Sequence, residues 1–393
     1  MNVCSIHMPQ GTSARHSLKK GALSASSKLK VVDLFAGVGG LSYGFSKNKN
    51  FEIVAANEIL APMAEAYRQN HPEVRMYEGD IKDFGRRSIR RDLGILVGEV
   101  DLVVGGPPCQ AYSTVGKRLL DDPRGQLFQE YFRVLKELKP RAFIFENVKG
   151  LISMSGGDLL PTIVEKFESL GYEVKWDLLN AADYGVPQTR ERVIIAGSIE
   201  GDFVFPKQTH GDPETPDFNG RSLLPWLTLG DAIGDLPFIG SGEESFEYST
   251  LPQNDFQKIM RIGAPSKIRD HNAPIHNREL LKMIHALPEG GSPLDIPKSL
   301  RPKSGFPNTY SRLWWGRPST TVTRNLGTPS SSRCIHPYAD RGLTTREGAR
   351  IQCFPDSYVF HGTRTDKNLQ IGNAVPTFLS KALSTQMQKL LLS

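Results

Sequence analysis

The stretch Pro107-Pro108-Cys109-Gln110 is the part of the chain best suited to covalent chemistry. The reactive form of cysteine is the thiolate, and a free thiol ionises only near about pH 8.5, so a nucleophile here needs a cationic neighbour or a proton transfer during attack. Two prolines fix the backbone ahead of Cys109 and remove donors, as a rigid mount would. Glu146-Asn147-Val148 follows the apolar run Ala142 to Phe145. A carboxyl group at the end of a buried strand is costly unless it has a partner or a task. Gln188-Thr189-Arg190-Glu191-Arg192 leads into a further strand, and strand alternation sends Arg190 and Arg192 to the same side.

A second group of residues points to a small-molecule ligand. Asp33-Leu34-Phe35-Ala36-Gly37-Val38-Gly39-Gly40 is a glycine-rich turn between a strand and a helix, where the backbone can approach a ligand closely. The dinucleotide fingerprint wants a third glycine where Ser42 stands, so a nicotinamide cofactor fits poorly. Glu58 follows the next strand, where an acid can hold ribose hydroxyls. Asp80 follows a third strand-like segment and could accept from an adenine amine. Loop acids also cap helices, but with the glycine turn these two favour an adenosyl cofactor.

The elements that must position these residues alternate. Strands are expected at Lys30–Leu34, Phe51–Ala56, Val100–Val104, Ala142–Phe145, Tyr172–Leu179 and Arg192–Ala196. Helices are expected at Leu41–Asn48, Ala61–Asn70, Leu127–Leu138 and Leu159–Leu170. This is the pattern of an α/β domain with a mostly parallel sheet covered on both faces. Ligands of such sheets bind beyond the carboxyl ends of the strands, where Gly37, Glu58, Asp80, Cys109 and Glu146 all fall. From residue 203 to about 340 the texture changes to Pro, Gly, Ser and Thr, which reads as a smaller irregular domain of short strands and long loops. Thr344–Gln352 and Thr377–Leu392 read as helices again. The expected organisation is a disordered lead-in over 1–28, a catalytic and cofactor-binding domain over 29–202, a second domain over 203–340, and a return to the first over 341–393.

Composition sets outer limits. The 393 residues carry 48 Lys and Arg against 42 Asp and Glu, a net charge of +6 that suits a polyanion without requiring one. The four cysteines, Cys4, Cys109, Cys334 and Cys353, have neither zinc-clip spacing nor the density of a disulfide framework. A reducing, cytoplasmic setting, no metal and no membrane span are expected.

These motifs, taken in order, resemble those of the cytosine-5 DNA methyltransferases of the bacterial restriction–modification type. The resemblance covers roughly residues 29–200 and 317–385. It rests on Asp33 to Gly40, Gly106 to Gln110, Glu146 to Val148, Gln188 to Arg192, Leu343 to Pro355 and Gln370 to Pro376. Pro107, and Cys353 where a Thr is common, are its small departures.

The resemblance implies a Rossmann-like S-adenosylmethionine-dependent domain and a target-recognition domain. It implies a cytosine flipped out of duplex DNA, Cys109 adding to ring carbon 6, Glu146 holding N3, Arg192 binding the ring carbonyl, and Arg190 beside them. Phe35, Gly37, Gly39, Gly40, Glu58, Ile59, Asp80, Ile81, Pro108, Asn373 and Val375 correspond to cofactor contacts. Pro107, Gln188, Arg317 and Arg324 correspond to substrate contacts. The stretch Tyr112 to Gly125 matches a loop that closes over the base. Arg301, Lys303 and Arg312 are further candidates for phosphate or guanine contact, while Trp314 and Trp315 read as core. A cognate restriction endonuclease would be a genetic partner, and the protein is expected to act as a monomer. The alternatives are methyl transfer to RNA, a regulator that only keeps the fold, and a nicotinamide-dependent oxidoreductase.

Overall fold

A computed structural model describes residues 28–108, 126–215, 223–306 and 308–393. The lead-in before residue 28, Cys109 with Gln110, and the Tyr112–Gly125 stretch lie outside the described residues.

Seven strands form one sheet: β1 (Leu29–Leu34), β2 (Phe51–Glu58), β3 (Arg75–Glu78), β4 (Leu102–Gly105), β5 (Ala142–Val148), β6 (Glu173–Asn180) and β7 (Glu191–Ser198). Their order is β3-β2-β1-β4-β5-β7-β6. All neighbours are parallel except β7, which runs antiparallel to both β5 and β6. The expected α/β architecture with a mostly parallel sheet is therefore present.

Strand alternation explains how the sheet holds its two covers. On β5, Ala142 and Ile144 join one apolar cluster while Phe143 and Phe145 join the other. On β7, Ile194 and Ala196 face one way, Val193 and Ile195 the other. Helices α1 (Gly40–Ser46) and α2 (Ala61–Asn70) contribute Phe45 and Tyr67 to the first face. Helices α3 (Arg86–Leu93), α4 (Gln126–Leu138) and α5 (Leu159–Glu168) contribute Ile89, Tyr131 and Phe167 to the second.

Beyond the sheet come the two-residue strands β8 (His210–Gly211) and β9 (Leu224–Pro225), then α6 (Leu229–Ile233), α7 (Asp255–Met260) and α8 (Arg278–Ala286). The regular structure here is thus mainly helical, where short strands were expected. The chain ends in α9 (Thr345–Ile351), α10 (Arg364–Asn373) and α11 (Thr377–Leu391). α11 returns to α1: Gly44 N donates to Ser380 Oγ, and Leu379, Leu383 and Met387 enter the first apolar face. Leu229, Phe256 and Met260 share one cluster with Ile351, Phe354 and Ile371, and with Val38 and Ala66, so packing is continuous across residue 341. Among the described residues no helix is long and apolar enough to cross a membrane.

The irregular part is stitched by buried arginines. Arg312 is 4% exposed and donates to the carbonyls of Ile284, Leu287, His336 and Ala339 and to Asp340. It is not free to contact DNA, contrary to expectation. Arg301 donates to the carbonyls of Leu294 and Ile296. Trp315 packs at the edge of the cluster that holds Leu229 and Phe354, and Arg333 lies 4.4 Å over the Trp314 ring, in line with packing roles for both.

Candidate active site

The carboxyl ends of β1, β2, β4 and β5 open on one cavity of about 440 Å³. Its first end is built on the glycine turn. Gly40 lets the turn meet the segment after α10: a Cβ there would stand 2.4 Å from the Val375 carbonyl. Gly39, with φ 93°, caps α1 and faces His71 and Tyr358 behind the turn; it does not line the cavity. Phe35, Gly37, Gly40, Glu58, Ile59, Asp80, Ile81, Pro108, Asn373 and Val375 all do.

Two carboxyl groups set the electrostatics of this end. Glu58 Oε2 accepts from Gly37 N and Oε1 from Leu60 N, both at 2.8 Å. Burial pushes its carboxyl above the ordinary range, against these backbone donors. Asp33, also a lining residue, is 1% exposed and accepts from Ser42 Oγ at 2.5 Å. Burial raises it to about 7; the Ser42 bond opposes this, and Glu58 adds to it. Among the described residues neither carboxyl has an ion-pair partner. Ile59 is 62% exposed and offers an apolar lip. Asp80 caps a short 3-10 turn through Lys82 N.

The other end is built on β5 and β7. Strand β5 runs to Val148, beyond the expected end at Phe145, because antiparallel pairing with β7 continues to Val148 opposite Arg192. Glu146 therefore projects from a strand, and its Oε1 meets Arg192 Nε at 2.8 Å, both side chains 13% exposed. Gly106 makes room: a Cβ there would stand 2.7 Å from Glu146 Oε2. Asn147, given no role of its own in the sequence reading, donates to the Pro107 carbonyl at 3.2 Å. That carbonyl keeps a second lone pair for a ligand. Pro107 and Pro108 line the cavity; Cys109, bonded to Pro108, lies outside the described residues.

Arg190 is 1% exposed and ties three segments together. It donates to the carbonyls of Val322, Gly372 and Ala374 at 2.9–3.0 Å, while its Nε has no partner among the described residues. Gln188 does not reach the cavity. Its amide donates to Gln352 and Ile351 and accepts from Val322 N, so the expected substrate contact is instead a buried brace. Arg317 and Arg324 are exposed on the adjoining segment. That segment is held by Thr189 N to the Ser319 carbonyl and by Ser319 N to the Pro187 carbonyl, both 2.9 Å. The Arg324 backbone lies against Gly372, which lines the cavity. Asp33, Gly106 and Asn147 stand within the motifs read from the sequence but were given no role of their own there. Asp33 left one signal, a carboxyl group set directly between the apolar residues Val32 and Leu34.

Comparison with known proteins gives this geometry a family. The type II methyltransferase M.AgeI of Thalassovita gelatinovora is 35% identical, over 91% of this chain and 98% of its own. The type II methyltransferase M.DdeI of Desulfomicrobium norvegicum is 36% identical, over 91% and 88%. A structure described as a DNA modification methyltransferase encoded within an E. coli prophage superposes with a TM-score of 0.72 at 24% identity, covering 93% of this chain and all of that one. The S. pombe Dnmt2 methyltransferase superposes at 0.58 with 17% identity, covering 93% and 99%. The two structures show the fold alone. The family description of C-5 cytosine-specific DNA methylases matches residues 29–389, from the first strand to the last helix. The chain belongs to that family and is a DNA cytosine-5-methyltransferase.

Proposed function

We propose that the protein methylates carbon 5 of a cytosine flipped out of duplex DNA, within one short sequence, with S-adenosylmethionine as donor. The observation that carries this reading is the single cavity joining an anionic glycine-turn end to the Glu146–Arg192 pair. S-adenosylmethionine would supply an electrophilic methyl group and a positive charge, and the residues fit it. Asp33 and Glu58 lack a cation among the described residues, Ile59 and Phe35 offer apolar surface, and the Gly37–Gly40 turn admits close approach.

At the base end, Glu146 holds ring N3 and Arg192 the ring carbonyl oxygen, with the Pro107 carbonyl accepting from the exocyclic amine. The Cys109 thiolate would form a bond to carbon 6, and the electron pair of the 5,6 double bond would move to carbon 5, which would take the methyl group as that group's bond to the donor sulfur breaks and a neutral thioether leaves. A base, proposed to be water, removes the carbon-5 proton; the double bond re-forms and the thiolate leaves. Arg190 positions the Val322 and Gly372 segments around this end.

The segment over 203–340 is proposed to recognise the target, with Arg317 and Arg324 facing DNA. The relatives named above are type II methyltransferases, and this chain is proposed to serve a restriction–modification system as a cytoplasmic monomer, protecting DNA from a cognate endonuclease.

The test is transfer from labelled S-adenosylmethionine to unmethylated duplex DNA, wild type beside Cys109→Ala, with bisulfite sequencing of the product. Modified cytosines in one short motif, lost in the variant, are expected. Transfer to tRNA alone would overturn the DNA reading.

A further inference from the structure

Helix α3 carries four arginines in eight residues, Arg86, Arg87, Arg90 and Arg91. Successive helical residues turn by about 100°, so these four share one arc of about 140°. Ser88, Ile89 and Leu93 occupy the opposite arc. Ser88 and Ile89 are buried, Ile89 and Leu93 belong to the second apolar face, and all four arginines are exposed.

The arrangement works against the helix itself. Arg86 and Arg90, like Arg87 and Arg91, are four apart and repel. Arg86 and Arg87 stand in the first turn, where the helix dipole disfavours cations; the helix supplies no acid of its own there, and the carboxylate that caps it, Glu137 of α4, accepts from the Arg86 backbone N and not from a guanidinium. Among the described residues Arg86, Arg87 and Arg90 have no ion-pair partner; Arg91 pairs only with its neighbour Asp92, at 2.6 Å.

The surroundings extend the charge. Lys82 precedes the helix, and Arg75 lies on β3, the edge strand of the sheet; both are exposed. Tyr77 of β3 donates to the Ser88 carbonyl, which fixes this edge against α3. The patch adjoins the cavity wall: Asp80 and Ile81 line the cavity, and Arg133 of α4 clamps the turn between by donating to the Ile81 and Phe84 carbonyls.

We propose that α3 is a second DNA-contact surface, gripping the phosphate backbone of duplex outside the recognition sequence without reading bases. Exposed guanidinium groups suit phosphate oxygens in both charge and geometry. The inference rests on the DNA substrate established above, not on the details of the reaction.

The test compares a fourfold Arg→Gln variant (Arg86, Arg87, Arg90 and Arg91) with a fourfold Arg→Lys variant, titrating non-cognate duplex across a salt series. Each lost phosphate contact lowers the slope of log K against log salt by about 0.9. The Gln variant should lose a slope of about two to three and bind at least about tenfold more weakly at low salt. The Lys variant should keep the slope. The turnover number on a short duplex holding only the recognition sequence should be unchanged, which also shows that the variant is folded. An unchanged slope in the Gln variant overturns the proposal. So does a parallel loss of turnover on the short duplex, which would place α3 in the catalytic complex. Non-cognate binding is read without methyl transfer, so failure of the proposed reaction would show separately.

Discussion

At the end of the cavity built on β1 and β2, Asp33 and Glu58 lie within electrostatic reach of each other, with no cation among the described residues to offset them. At the end built on β5 and β7, Glu146 is paired with Arg192 and has Arg190 close by. Both ends are sheltered from water, so the contrast is felt at short range. An uncompensated pair of carboxyl groups waits for a positive ligand. A compensated carboxylate beside a guanidinium offers one acceptor and several donors, which suits a neutral heterocycle with a ring nitrogen and a carbonyl. The proposed division of the cavity between cofactor and base therefore rests on charge as well as on position on the sheet.

The largest effect should come from breaking the paired end. Glu146→Gln keeps the shape and removes the charge, so methyl transfer should fall by about 10²–10⁴-fold. Cofactor affinity, measured by calorimetry, should be unchanged. Equal losses in both would mean that the two ends are not separable.

Breaking the other end should reverse that pattern. Glu58→Ala releases the amides of Gly37 and Leu60. Hydrogen bonds to a charged group are worth about 1.5–3 kcal/mol, so cofactor affinity should drop about 10- to 100-fold. Turnover at saturating cofactor should change far less. A full-strength cofactor complex in this variant would remove Glu58 from the binding site.

A smaller effect, and the sharpest test of the charge contrast, is the titration of Asp33. Its carboxyl is raised to about 7 by burial, with Glu58 adding and Ser42 opposing. Tyr67, Tyr131 and Tyr358 are within electrostatic reach of it as well. A carboxyl raised by folding favours the folded state at acid pH. That contribution is complete below about pH 4 and is lost as pH rises to about 7. Asp33→Asn should flatten this part of the stability curve in denaturant unfolding. Glu347 and Asp356 are held low by Arg341 and Arg350, despite burial, so their slopes fall at more acid pH and do not overlap. A cation entering beside Asp33 should expel its proton. Calorimetry in two buffers of different ionisation enthalpy should show proton release on cofactor binding near pH 6.5, none at pH 8.5, and less in Asp33→Asn, where only the buried Glu58 carboxyl remains to release a proton.

How much of this was legible in the sequence follows the physics of each part. The bounds of α2 were read without error, because an apolar face and Pro62 near its start are local signals. Most residues that line the glycine-turn end of the cavity were named, because that end is made of consecutive residues in a turn and of acids just after strands. Helices α3 and α10 were not seen: four arginines, or a run of Thr, Asp, Lys and Asn, hide the apolar period. The antiparallel β7 depends on pairing, which no local pattern states. Gln188 and Arg312 were misplaced for a related reason. In the irregular region buried carbonyls lack ladder partners. An arginine has five donors to give them, so a long polar side chain there turns inward. Arg341, Arg346 and Arg350 do the same, donating to the carbonyls of Ile239, Arg269 and Ala232. Sequence composition cannot distinguish such an arginine from one that faces DNA.

The smallest expected change concerns Ser42, the residue that excluded the dinucleotide fingerprint. Its hydroxyl donates to Asp33 and lies 2.7 Å from the Tyr67 hydroxyl, so it is the one described group that lowers the Asp33 carboxyl by direct contact. Ser42→Ala should leave Asp33 harder to ionise and move the proton-release window on cofactor binding to higher pH. A single hydrogen bond contributes about 0.5–1.5 kcal/mol net, which corresponds to a shift of roughly one pH unit at most. Turnover at saturating cofactor should be nearly untouched, because Ser42 stands at the anionic end and not beside Glu146. A shift to lower pH would mean that Tyr67 takes over as donor once the serine is gone. The hydroxyl pair, and not Ser42 alone, would then set the charge of the cofactor end.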